Sequence, residues 1–160
     1  MHTLDMSTVE LRSVNDTLQA ENSTSNKAFL LENHLGAHAI ADGLDAPEHV
    51  TVNGTTGYNC AGMTQQSPIQ VNGNVGPGVA ENMMSGTVLV DGDASQYAGA
   101  TAHGGLLVIK GNASSRCGIS LKGANIVVQG EVGHMSAFMA QAGTLGVLGD
   151  AGEALGDSIY

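Results

Sequence analysis

The sequence predicts an all-β fold, a right-handed parallel β-helix of about six 19-residue coils with an N-terminal helical or extended cap. Three observations carry this. Gly54, Gly73, Gly92, Gly111, Gly130 and Gly149 recur at an unbroken spacing of 19. Aliphatics stand four and two residues before each: Val50 and Val52, Ile69 and Val71, Val88 and Val90, Leu107 and Ile109, Ile126 and Val128, Leu145 and Val147. Small residues stand three and seven residues after it, from Gly57 and Ala61 to Gly152 and Gly156. A fixed period of this kind marks a stacked repeat whose units bury their faces only against their neighbours.

Within each unit the aliphatics are two apart, the period of a half-buried strand. The strand ends at the glycine, where a turn demands a conformation that other residues resist. Nineteen residues are too few for a strand, a full helix and two loops, but suffice for one coil of a solenoid. Stacking brings identical positions together at about 4.8 Å. The aliphatics then form inward columns, and the small residues let the backbone turn tightly or pack on the coil below. The crossover rule favours right-handed winding. A left-handed hexapeptide solenoid would need a six-residue sub-period, which the 19-residue unit lacks.

Residues 1–47 fall outside the frame and form the expected cap and linker; residues 48–160 form the β-helix, with its last coil incomplete. Ser7 to Glu10 resembles a capping box, with Val14 and Leu18 following at helical spacing. Residues 21–26 read as a polar linker. The stretch from Phe29 to Leu44 reads as a degenerate zeroth coil or as a strand followed by a short helix. Tyr160 falls inside the sixth coil. That leaves an open β edge, so either the chain is a fragment or another polypeptide covers that end.

A chain of 160 residues suits one domain with a real core. The formal charge of −10, with only five Lys plus Arg, disfavours a nucleic-acid or anionic-membrane partner. No apolar stretch approaches a membrane span and the N-terminus lacks a signal-peptide pattern, so a soluble cytoplasmic protein is expected. Cys60 and Cys117 share one frame position three coils apart, roughly 14 Å. A disulfide spans at most about 7 Å between Cα atoms, so separate thiols are expected.

No catalytic, cofactor or metal residue emerges. Among six histidines, His103 and His134 sit at different heights of their coils, and His34 and His38 lack an acidic third ligand. The run GNVGPG (73–78) superficially suggests a phosphate loop, yet its glycines recur in every coil and no Lys-Ser/Thr follows. Cys117 follows Arg116, but it reads as a small core residue in a column with Ala98 and Val79. Asp91, Asp93, Glu131 and Asp150 flank the turn glycines, where side chains usually make local turn hydrogen bonds or meet water.

One column asks for more than a scaffold. Three residues before the glycine, at a position facing outward, stand Leu89, Val108 and Val127, with Leu106 beside them. Met63, Met83, Met84, Met135 and Met139 could extend such an apolar surface. Either the N-terminal segment folds over this ridge or a partner does.

Several strings resemble a known family. Gly92-Asp93-Ala94-Ser95-Gln96-Tyr97-Ala98-Gly99, followed by Gly104-Gly105, is similar to the signature of the GXGXG domain, the β-helix at the C-terminus of the glutamate synthase large subunit. The strings from Tyr58 to Met63, Gly76 to Gly86 and Gly133 to Met139 resemble more closely the free-standing GXGXG subunit of N-methylglutamate synthase. A more distant resemblance is to the C subunit of formylmethanofuran dehydrogenase. The resemblance implies a non-catalytic structural subunit of a hetero-oligomer, methylamine–glutamate N-methyltransferase. There a class II glutamine-amidotransferase-like subunit and an FMN and iron–sulfur synthase-like subunit carry the chemistry, converting glutamate and methylamine to N-methylglutamate and ammonia. This chain begins Met1-His2 and lacks both an N-terminal nucleophilic cysteine and an iron–sulfur cysteine cluster. No cofactor is therefore expected on it, and FMN and the cluster are implied in a partner.

Overall fold

The computed structural model describes residues 1–20 and 27–159; the polar linker expected at 21–26 lies outside them. Eight parallel strands form one sheet in sequence order: β1 (His2–Asp5), β2 (Ala28–Glu32), β3 (His49–Asn53), β4 (Pro68–Asn72), β5 (Thr87–Val90), β6 (Leu106–Ile109), β7 (Lys122–Val128) and β8 (Ala142–Val147). A helix, α1 (Leu11–Ala20), stands between β1 and β2. Sequential parallel strands without crossovers make a parallel β-helix, as the period requires. The register keeps the frame: Val50 pairs with Ile69, Val88 with Leu107 and Ile126 with Leu145. The inward aliphatics from Val50 to Val128 are buried in one continuous core, which also takes Val75, Val79, Met83, Ala98, Ala102 and Leu121 from the rest of each coil. Side chains two apart thus stack into columns because the backbone repeats its height every coil.

The sheet continues into the residues expected to be a cap. Phe29 pairs with Val50, and His2 with Phe29. Of the two readings for Phe29 to Leu44, the degenerate coil is the one adopted: β2 leads into turns, and no helix follows. The helix α1 buries Val14 and Leu18 against the same core. Its Asn15 amide donates to Ala39 O at 2.9 Å and accepts from Ala41 N at 2.9 Å, while Gln19 accepts from Asp45 N at 3.0 Å. The helix starts later than the capping box implied. Ser7 donates from both N and Oγ to Asp5 Oδ1, at 2.9 and 2.6 Å, so it closes a turn after β1. Those bonds, the hydroxyl first, hold the Asp5 carboxyl below the ordinary carboxylate range.

A second wall lies after each turn and has no counterpart among ordinary strands. Residues five, seven and nine after the repeat glycine all have positive φ, as in Asn59, Ala61 and Met63 (51–57°) or Tyr97, Gly99 and Thr101 (55–65°). Most are not glycine, although a left-handed residue costs roughly 1–2 kcal/mol. The compensation is inter-coil hydrogen bonding. Asn59 N donates to Pro77 O of the next coil at 2.9 Å, Ala80 N to Cys60 O of the preceding coil at 2.9 Å, and Met63 N to Glu81 O of the next at 2.7 Å. Amides along the wall therefore point alternately up and down the stack, and each finds a carbonyl. Ala39, Ala41 and Gly43 adopt the same pattern after β2.

Candidate interaction surface

The repeat glycines are required by close approach rather than by φ. Only Gly54 among the six has positive φ, 107°. A Cβ on Gly73 would lie 2.6 Å from Gly54 C, and one on Gly111 would lie 2.7 Å from Gly92 O. A second obstruction comes from a side-chain ladder. Asn74 Oδ1 accepts from Asp93 N at 2.8 Å, Asp93 Oδ1 from Asn112 N at 2.7 Å, and Asn112 Oδ1 from Glu131 N at 2.9 Å. Each side chain crosses the glycine of the next coil, so a Cβ on Gly92, Gly111 or Gly130 would strike those same oxygens. The hydrogen bond expected to be local at Asp93 is thus a bond between coils. This also disposes of a phosphate cradle at 73–78. Val75 N donates to Asp93 O, Gly76 N to Thr56 O and Gly78 N to Gln96 O, leaving those amides committed.

His34, His38 and both cysteines serve the stack. His34 is buried; its Nδ1 accepts from Gly36 N at 3.2 Å, so Nε2 carries the proton and donates to Asn53 O at 2.9 Å. His38 Nδ1 accepts from Tyr58 N at 2.8 Å, and its ring stacks on Tyr58 at 4.1 Å between centroids. Among the described residues no group of three His, Cys, Asp or Glu is placed to hold a metal ion. Cys60 and Cys117 are free and buried, and burial pushes each thiol up to about 12. The separate thiols expected from the coil arithmetic are what the structure contains.

Leu89, Val108 and Val127 pair side by side across β5, β6 and β7. They are half-buried and face away from the core, as is Leu106. The same face is polar nearer the N-terminus, where Gln70 donates to Asn72 and Asn72 to Asn53. Along the ridge it carries the ion pair of Lys110 with Asp91 at 2.6 Å. Among the described residues, the helix side chains Asn15 and Gln19 bond to the segment from Ala39 to Asp45, away from this ridge. The methionines do not form one surface. Met83 is fully buried in the core, Met63 and Met84 are exposed, and Met135 and Met139 are half-buried. Methionine ten residues after its glycine falls on an inward column, a position that the frame's aliphatics alone did not mark.

A second surface lies on the left-handed wall. Tyr58, Asn59, Gly78, Glu81, Tyr97 and Ile119 line a groove of about 560 Å³. The sequence marks parts of this stretch as a glycine-rich run and as family-like strings, but not as a surface. The available signal was a break in the columns: tyrosines in the first and third coils, with Pro77-Gly78 between them. Beside the groove, Asp42 reaches over Gly62, and burial raises its carboxyl above the ordinary range, with the Gly43 amide opposing.

The chain is 59% identical over 64 residues to Protein GlxC of Rhizobium meliloti (strain 1021), a match covering 39% of this chain and 28% of that protein's length. No protein-family model and no solved structure matches the chain. No helix among the described residues is long and apolar enough to cross a membrane.

Proposed function

We propose that this chain is a GXGXG-type structural subunit of a glutamate-synthase-like assembly, specifically an N-methylglutamate synthase, and that it holds the catalytic subunits in position. The observation that carries the reading is the outward row Leu89–Val108–Val127 on a β-helix whose polar backbone is otherwise consumed in coil-to-coil bonds. A rigid stack of this kind supplies a straight, long-lived edge on which other subunits can be registered. The strings that resemble the GXGXG subunit support the same reading. Gly92–Gly99 runs through the ladder residue Asp93 and into the left-handed wall, both of which are parts of the stacking machinery. In this reading an amidotransferase-like subunit provides the glutamine-handling chemistry, and an FMN and iron–sulfur subunit provides the synthase chemistry.

The test is isolation of the chain from its native cell with identification of what accompanies it. An FMN protein and an amidotransferase-like protein in stoichiometric amounts support the reading; recovery as a lone active protein overturns it. Turnover with methylamine in preference to ammonia separates the N-methylglutamate synthase from a glutamate synthase proper. Val108→Glu places a charge on the ridge and is expected to weaken association while moving stability by no more than about 0.5 kcal/mol, as at other surface sites. Analytical ultracentrifugation and a thermal melt of the same samples read the two effects. Unchanged association with lost stability would count against the ridge as an interface.

A further inference from the structure

We infer that the groove on the left-handed wall is a seat for one guanidinium group, supplied by an arginine side chain of a partner polypeptide. The argument starts from the order of side chains along the stack. His38 covers one face of Tyr58, with ring centroids 4.1 Å apart. Arg116, in the coil after Tyr97, lies 6.0 Å from that ring's centroid. Pro77 and Gly78 occupy the coil between the tyrosines, as the bonds Asn59 N to Pro77 O and Gly78 N to Gln96 O require. Asn59, Gly78 and Tyr97 each stand five residues after a repeat glycine, so the Tyr97 ring overlooks a glycine in the next coil; Tyr58 stands one position earlier, in the column of His38 and Pro77. Tyr58 is 55% exposed and Tyr97 38%.

One coil spacing, roughly 4.8 Å, separates Tyr97 from Gly78. A planar group stacked roughly 3.5–4.0 Å from the Tyr97 ring fits the space that the missing side chain of Gly78 leaves open. The floor selects the charge. A Cβ on Gly78 would lie 3.1 Å from Glu81 Oε2 and would strike Asn59 Oδ1, so both oxygens converge over the glycine. Neither side chain has a hydrogen-bond or ion-pair partner among the described residues. Two acceptors without a donor, beside the Tyr97 ring, on a chain of net charge −10, suit a cation. A guanidinium is flat, carries a fork of donors that matches a carboxylate, and stacks on aromatic rings; an ammonium offers none of the flatness.

That the arginine belongs to a partner polypeptide rests on the assembly reading; the guanidinium chemistry does not. The test therefore uses no partner. Acetyl-Gly-Arg-Gly-amide is titrated into the ¹⁵N-labelled chain and followed by NMR. Saturable shifts are expected at the Gly78 amide, the Asn59 side-chain amide and Tyr97. The citrulline peptide, with the same shape and no charge, should bind about tenfold more weakly, as should the arginine peptide to Glu81→Gln, whose melting temperature should match the parent. Arginine binding that centres elsewhere, that is equalled by citrulline, or that survives Glu81→Gln unchanged overturns the inference. A lysine peptide binding as tightly as arginine overturns the choice of a planar cation. Failure here with successful isolation of the assembly would remove the groove alone, whereas success here with a lone active protein would remove the assembly alone.

Discussion

The two walls of each coil reach the same end by different means. The sheet wall uses residues with strong strand preference: Val88, Val90, Leu107, Ile109, Ile126 and Val128 point inward in register, and their backbone sits where β-branched side chains favour it. On the left-handed wall, Asn59, Tyr97, Arg116 and Met135 occupy a conformation that each resists in isolation. What holds them is the alternation of amides along the stack, each donating to a neighbouring coil at 2.9–3.2 Å. Local preference and tertiary bonding agree on the first wall and oppose one another on the second. Stability should therefore be concentrated on the sheet side, and the surfaces open to a ligand on the other.

The largest test of this contrast is in the inward column. Ile126 is fully buried, and its Cδ1 fills the space that a Cβ on Gly99 would need. Ile126→Ala is expected to cost about 2–5 kcal/mol in urea unfolding. A loss below about 1 kcal/mol would mean that the column does not carry the stack.

Next comes the corner between the walls. Gly111→Ala forces a methyl against Gly92 O and the Asp93 ladder, for an expected cost of about 1–3 kcal/mol. Asp93→Ala in the same chain should recover part of it, since one of the two obstructions is then gone. Strict additivity in the double-mutant cycle would show that ladder and glycine do not meet.

On the left-handed wall the expected effect is smaller and of opposite sign. Met63 has φ of 51° and is 51% exposed, so Met63→Gly relieves the left-handed cost at the expense of chain entropy. A net change within about 1 kcal/mol, neutral to stabilising, is expected in thermal melts. A clear loss of stability would show that the wall prefers its side chains for reasons other than bonding along the stack.

The last effect is a loss that appears only at alkaline pH. Burial raises both cysteine thiols from 9.0 to about 12, so the unfolded chain releases those protons first. Stability from this source is complete below pH 9 and falls as pH rises toward 12. Cys60→Ala with Cys117→Ala should flatten that part of the stability profile; an unchanged slope would show that the thiols are not the groups responsible.

The legibility of the fold follows the same division. The alternation at Val88 and Val90 was readable because a strand's two faces imprint a period of two. Conversely, β1 was not, since His2–Asp5 carries no frame and joins the sheet only through its pairing with β2. Glycine columns were readable as a period, but their cause was misassigned: a single sequence cannot show that Asn74 crosses the glycine of the coil above. The outward row at Leu89, Val108 and Val127 could be placed from the frame. The groove could not, because its residues come from four coils and from a segment whose left-handed conformation no local preference announces.

The sequence by itself determined the repeat, the stacking register of the coils from β3 onward, the inward columns and the separation of the two thiols. All of these follow from a period multiplied by a fixed spacing between coils. The left-handed wall, the ladder over the glycines and the convergence of Glu81 and Asn59 over Gly78 were decided only by tertiary structure. They depend on hydrogen bonds between residues a full coil apart, and those bonds outweigh what each residue prefers alone.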